Sequence, residues 1–374
     1  MASPIDATTA PQLSLPGLDL RWAARRAALP VALAAVAGAA ILLAGGPLGV
    51  FADALSRAVT ADPRWIAVAA VAELLSFGGY IALFWLVGRR ATPRLGLRSS
   101  AEITLGGAAA TRLLPTAGAG GAAVTLWALV RTGIGTRRAS HTLLTFLVLL
   151  YGTFLAGIAL SGAALALGLG GHAGHVELAA GAAAAAATAI AVGLLLGARA
   201  SDSPDPGAGR VARGTALLGG AIRDAQRLLR RGDGRLLGAP VWWAFDAAVL
   251  WATFQALGAP PSLAVLAFAY FAGQVGNTIP IPGAVSGGMV GTLLAFGVAP
   301  DLALSAVLAY RAVAIWLPAP LGLAALGALR ARVGSWSRED AESSELVDAI
   351  VAPPTSTRPA ARLAVAPCAG SACA

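Results

Sequence analysis

Four ionisable side chains stand in otherwise apolar sequence: Glu73, Arg112, Asp246 and Arg311. A charge in hydrocarbon is expensive unless it is paired or hydrated, so each is a functional candidate by position alone. Two acids and two arginines permit two chemistries. They can neutralise one another as buried ion pairs that fix helix packing. Alternatively, Arg112 and Arg311 can hold a phosphate partway across a bilayer, because a guanidinium keeps its charge when poorly solvated and its planar fork grips phosphate oxygens in pairs. Glu73 or Asp246 would then act as coupling or charge partner, competing for an arginine or taking up a proton.

Arg112 adjoins a break in the apolar sequence, Thr111-Arg-Leu-Leu-Pro115-Thr-Ala-Gly118-Ala-Gly-Gly121. About 165 residues later a second break reads Asn277-Thr-Ile-Pro280-Ile-Pro282-Gly283-Ala-Val-Ser-Gly287-Gly288. Superimposed, Pro115 meets Pro280, Gly118 meets Gly283, and Arg112 meets Asn277. Backbone freed by Pro and Gly persists at membrane depth only where protein or a water-filled cavity satisfies it. Paired interruptions at matching places in two halves point to a transport site. Helices starting after Gly118 and Gly121, and after Gly283 and Gly287, would aim positive dipole ends at an anion. Asn277 would add a neutral hydrogen bond. Two tight loops in a Gly-rich chain are the plain alternative.

The elements that position these residues follow from composition. The 374 residues are 57% hydrophobic and 12% charged, with a mean hydropathy of +0.74, which marks an all-α polytopic membrane protein. Six stretches are long enough to span: 29–50, 65–87, 139–170, 176–198, 239–257 and 302–329. In 101–131 each arm beside the break is only about 20 Å of helix, short of a hydrocarbon core of about 30 Å. A re-entrant hairpin fits, and 262–298 reads the same way with a longer first arm.

All 27 basic residues are arginine, and the formal net charge is +9. The arginines flank apolar spans, so topology and anionic headgroups explain them better than nucleic acid does. Six crossings and two hairpins place every arginine-rich segment on one face, the cytoplasmic one, with both termini there. The hairpins then enter from opposite faces, an inverted repeat. Residues 1–28 read as a cytoplasmic segment, 29–330 as the membrane domain with a cytoplasmic loop at 199–238, and 331–374 as a disordered cytoplasmic tail. Within the loop, 210–232 is an amphipathic helix, either resting on anionic headgroups or solvated. Cys368 and Cys373 lie in the tail and imply neither disulfide nor metal. His172, His175 and Glu177 have a metal-like spacing without further ligands, and no cofactor is expected. Trp65, Trp242, Trp243 and Trp251 read as an interfacial belt. Ser76, Tyr80, Thr111 and Gln274 line a polar path or bond between helices.

Several segments together resemble the flippase-like membrane region of the lysylphosphatidylglycerol synthase family: Glu73-Leu-Leu-Ser76-Phe-Gly-Gly-Tyr80, Thr111 to Trp127 with Arg131-Thr-Gly133, Ile279-Pro-Ile-Pro-Gly283 through Gly297-Val, and Tyr310-Arg311 with Trp316-Leu-Pro318. The likeness spans about residues 30–330. It implies a cell-membrane protein that moves, or helps to move, a lipid or lipid-linked headgroup between leaflets. Two departures stand out. No counterpart of the cytosolic aminoacyl-transferase domain occurs, and where relatives often carry a glutamate after the second Pro-Gly this chain has Ser286-Gly287-Gly288-Met289. The expected function is thus a translocator, not an enzyme, whose partners are anionic phospholipids or lipid-linked headgroups. An accessory subunit working with envelope-synthesis proteins, or a lipid-modifying transferase, is the alternative.

Overall fold

The computed structural model describes residues 56, 60–113, 118–169, 175–199, 209–279, 281 and 283–351. The expected span at 29–50, the hairpin-break prolines Pro115, Pro280 and Pro282, and His172 lie outside them. No strand occurs among the described residues. The chain divides into two compact units, Met1–Val333 and Gly334–Ala374.

Helix α1 (Pro63–Ala91) starts cleanly because Pro63 suits the first turn and Asp62 accepts from the Arg64 N–H. The first hairpin is α2 (Leu97–Leu113) and α3 (Ala119–Arg131). Two long helices follow, α4 (Thr136–Ala166) and α5 (Val176–Arg199), then the amphipathic α6 (Arg210–Arg231). A 3-10 turn at Gly234–Leu237 leads into α7 (Gly238–Ala256). The second hairpin is α8 (Leu263–Gln274), extended by a 3-10 turn at Val275–Thr278, and α9 (Ala284–Ala295). Helices α10 (Pro300–Trp316) and α11 (Pro318–Val351) complete the described chain. Among the described residues five stretches are long and apolar enough to cross a membrane, which establishes an all-α polytopic membrane protein. Helices α3 and α9, of 13 and 12 residues, are too short to cross.

The repeat runs deeper than the two breaks. A spacing of 165 residues separates the ends of α1 and α7, Ala91 and Ala256, and the starts of α3 and α9, Ala119 and Ala284. Both short helices begin at a left-handed glycine, Gly118 with φ 82° and Gly283 with φ 84°. That conformation, which L side chains avoid, explains why both breaks keep glycine at this place.

Helices α1 and α7 run antiparallel. Trp65 packs edge-on against Trp251 with ring centroids 5.3 Å apart, Ser76 Oγ donates to the Trp242 carbonyl at 2.9 Å, and the Asp62 N–H donates to the Ala256 carbonyl at 3.1 Å. At Gly79 and Gly238 the two backbones touch: a Cβ on Gly238 would sit 2.3 Å from the Gly79 carbonyl oxygen. The first hairpin opens beside the C-terminal end of α1, where Arg94 Nη1 donates to the Thr132 carbonyl at 3.3 Å. The second opens beside the C-terminal end of α7. Because these two helices are antiparallel, the hairpins enter from opposite ends, as an inverted repeat requires.

Three expectations are corrected. The stretch 302–329 is two helices, α10 and α11, broken at Leu317-Pro318, since proline has no N–H for the carbonyl four residues back. Residues 335–351, expected to be disordered, are helical to Val351; no proline interrupts them until Pro353, which disfavours helix at the residue before it. Trp242 and Trp243 are buried within the bundle and do not form a belt. Trp243 Nε1 donates to the Leu150 carbonyl at 2.8 Å.

Candidate functional site

Near the middle of α1 the side chain of Glu73 is fully buried, and Arg112, in the last turn of α2, reaches it. Arg112 Nη1 lies 2.7 Å from Glu73 Oε1. The guanidinium sits 5.0 Å from the Phe77 ring centroid and 5.9 Å from that of Trp242, so its faces are covered by aromatic π-surface. Arg112 also donates to the carbonyl of Ala314. That carbonyl stands four residues before Pro318, and Arg112 therefore supplies the donor that the proline cannot. Glu73 Oε2 is buried with no hydrogen-bond partner among the described residues.

The second half supplies the opposing group. Asp246, mid-way along α7 and 2% exposed, accepts from Tyr270 Oη at 2.5 Å, from Tyr310 Oη at 3.2 Å and from Gln274 Nε2 at 3.3 Å. Gln274 Nε2 also donates to Tyr310 Oη at 3.1 Å, while Asn277 Nδ2 donates to Gln274 Oε1 at 2.5 Å. Several donors thus satisfy this buried carboxyl group. The Asp246 charge acts on Glu73 and on Arg112, which makes the two halves one electrostatic cluster. Its members come from α1, α2, α7, α8, the 3-10 turn and α10.

The remaining expected residues fall at differing distances from this cluster. Gly118 and Gly121 lie at the start of α3, where Gly121 is pressed against Gly107 of α2. Gly283 and Gly287 are exposed at the start of α9. Neither helix start carries a side-chain cap, which leaves the positive dipole ends uncompensated by side chains. Arg311, next to Tyr310, is half-buried and makes no hydrogen bond or ion pair with another described residue. Thr111 bonds within its own helix, to the Gly107 carbonyl at 3.0 Å. Tyr270 is the participant that residue-by-residue reading passed over, because one tyrosine in an apolar helix looks like core. Its spacing of four from Gln274, on one helix face, was the usable signal. Glu102 was also missed: it pairs twice with Arg332, at 2.5 and 2.7 Å, and bridges α2 to α11.

A family model for the lysylphosphatidylglycerol synthase TM region matches residues 22–322. The chain belongs to that family. The match covers both hairpins and every residue of the buried cluster, so the site lies within the family's own membrane region. No curated protein matches the chain. Family and fold together give a multi-pass membrane protein with a lipid-related role.

Proposed function

We propose that this membrane protein translocates a lipid, or a lipid-linked headgroup, carrying a phosphate. One observation carries the reading: two hairpins inserted from opposite ends bring Arg112 and the Gln274–Asn277 pair to a single buried cluster, next to uncapped helix starts. A site reached from both ends by matching halves is what alternating access needs. Arg311 is available to an anion, and Arg112 can exchange Glu73 for phosphate oxygens. Glu73 or Asp246 then competes with the phosphate for the cation, or takes up a proton during the cycle. The setting is the cell membrane, with the arginine-rich ends cytoplasmic, and the chemistry is transport, not catalysis.

Arg112's bond to the Ala314 carbonyl favours a second reading, in which the cation only braces the break at Pro318 and the protein serves as an accessory subunit of envelope synthesis. Movement of fluorescent phospholipids between leaflets of proteoliposomes separates the two. Wild-type protein should accelerate it, and Arg311→Gln, which breaks no pair with another described residue, should abolish most of the gain while folding normally. Unchanged movement in Arg311→Gln and in a folded Arg112→Gln variant would refute the phosphate site.

A further inference from the structure

At the arginine-rich end a second basic site takes shape, independent of the translocation reading. Helix α6 docks on α4 and α5 through a buried stripe of Ala221, Ile222, Ala225 and Leu228. Protein thus covers that stripe, while Leu229 beside it stays exposed. The docking also turns Arg227 and Arg231 toward the end of α1 and the first turns of α4, enclosing a cavity of 310 Å³. Arg90 and Arg138 line the other wall, with His141 between. Asp224 is the cavity's acid, and it is shared between Arg227 and His141 Nδ1, the latter at 3.5 Å. Four guanidinium groups therefore face one carboxylate. Arg138 points across the cavity rim, with Nη2 3.5 Å from the Arg90 carbonyl. Asp233, outside the lining, also feels the Arg90 charge, but both its oxygens bond Arg235.

Guanidinium groups converging from three helices into one concavity recognise a tetrahedral oxyanion through paired charge-assisted bonds. General attraction to a membrane surface asks only for scattered charge, and it would not require α6 to be held in a packed position. Arg90 lies about 25 Å along α1 from Glu73, at 1.5 Å per residue, so this is not the buried cluster. We propose that this cavity binds a phosphate group, presented either by an anionic phospholipid headgroup or by a soluble phosphorylated molecule. Asp224 is its internal competitor: it occupies Arg227 when the anion is absent.

The test uses the full-length protein in nanodiscs, at fixed ionic strength so that screening is constant. In discs of phosphatidylcholine alone, the thermal midpoint is followed against inorganic phosphate. In a second arm, discs containing phosphatidylglycerol replace the added phosphate. A ligand that binds only the folded state raises the midpoint with concentration. Phosphate acting in neutral discs identifies a soluble ligand, and phosphatidylglycerol acting alone identifies the headgroup. Either supports the site if the double variant Arg227→Gln, Arg231→Gln weakens the response by about tenfold or more, as expected from losing two charge-assisted contacts. Should that variant fail to fold, Asp224→Asn is the discriminating one, because it releases Arg227 and should tighten binding several-fold. No response from wild type to either probe, or a response that the variants leave unchanged, would overturn the proposal.

Discussion

Breaking the Glu73–Arg112 pair should reveal whether it is a coupled unit or two independent contacts. Glu73 is fully buried, and Oε2 has no hydrogen-bond partner among the described residues even with Arg112 present. Truncating Arg112 to Met leaves an uncompensated buried carboxylate, a change that costs about 3–5 kcal/mol in soluble interiors. It also strips the Ala314 carbonyl of its donor, at about 1–3 kcal/mol. Bundles in lipid recover part of such losses through other partners, so the lower ends are appropriate, and the single variant should lose about 4 kcal/mol. Glu73→Met should lose about 3 kcal/mol, leaving the cation with Ala314 and two aromatic faces. In the double variant neither member of the pair is left facing an empty place, and the losses should fall short of additivity by about 2 kcal/mol or more. Equilibrium unfolding in mixed micelles, followed by tryptophan fluorescence, measures all four corners of the cycle. A coupling below about 0.5 kcal/mol, the scatter expected of independent sites, would refute the view that these groups act as one.

Three further outcomes follow from particular contacts. Gly238→Ala drives a Cβ into the Gly79 carbonyl and should destabilise by about 1–3 kcal/mol, the usual range for overpacking, in the same unfolding assay. Pro318→Ala restores an N–H that can reach the Ala314 carbonyl, so Arg112→Met should cost about 1 kcal/mol less in that background than in wild type; an equal cost would show that Arg112 does not serve this carbonyl. Asp233 is held at about 2, from the ordinary 3.8, chiefly by the Arg235 side chain. Its depressed value means that its contribution is complete above the unfolded value and fades as pH falls toward 2. Asp233→Asn should therefore lower stability modestly at neutral pH and flatten the acid limb of unfolding between roughly pH 4 and 2, so that variant and wild type converge at the acid end.

The spans could be read from sequence because runs of apolar residues longer than a bilayer core have few alternatives. Both hairpins were legible because Gly118 and Gly283 sit in a conformation that excludes side chains, which fixes glycine at the same place in each half. The four charges stood out against apolar sequence, yet nothing in it says that Glu73 pairs with Arg112 or that the Asp246 side chain acts on Glu73. What surrounds Asp246 was harder to read, since Tyr270 and Tyr310 come to it from 24 and 64 residues away, and the one local sign is the spacing of Tyr270 from Gln274 on a helix face. The break at Pro318 was hidden by hydropathy, which stays high on both sides of it. Glu102 was passed over because its segment mixes Ser and Arg with apolar residues, and its partner Arg332 lies 230 residues on.

The repeat is alike in backbone and unlike in charge. Where the first copy places Arg112 the second places Asn277, although the glycines that open the short helices agree to within 2° in φ. A device of this kind is a palindrome in shape with a polarity written on it. If an anion passes between the hairpins, it leaves a cation for a neutral amide, so its hold is firm at one end of the journey and loose at the other. Exchanging the two side chains would keep the architecture and reverse the slope.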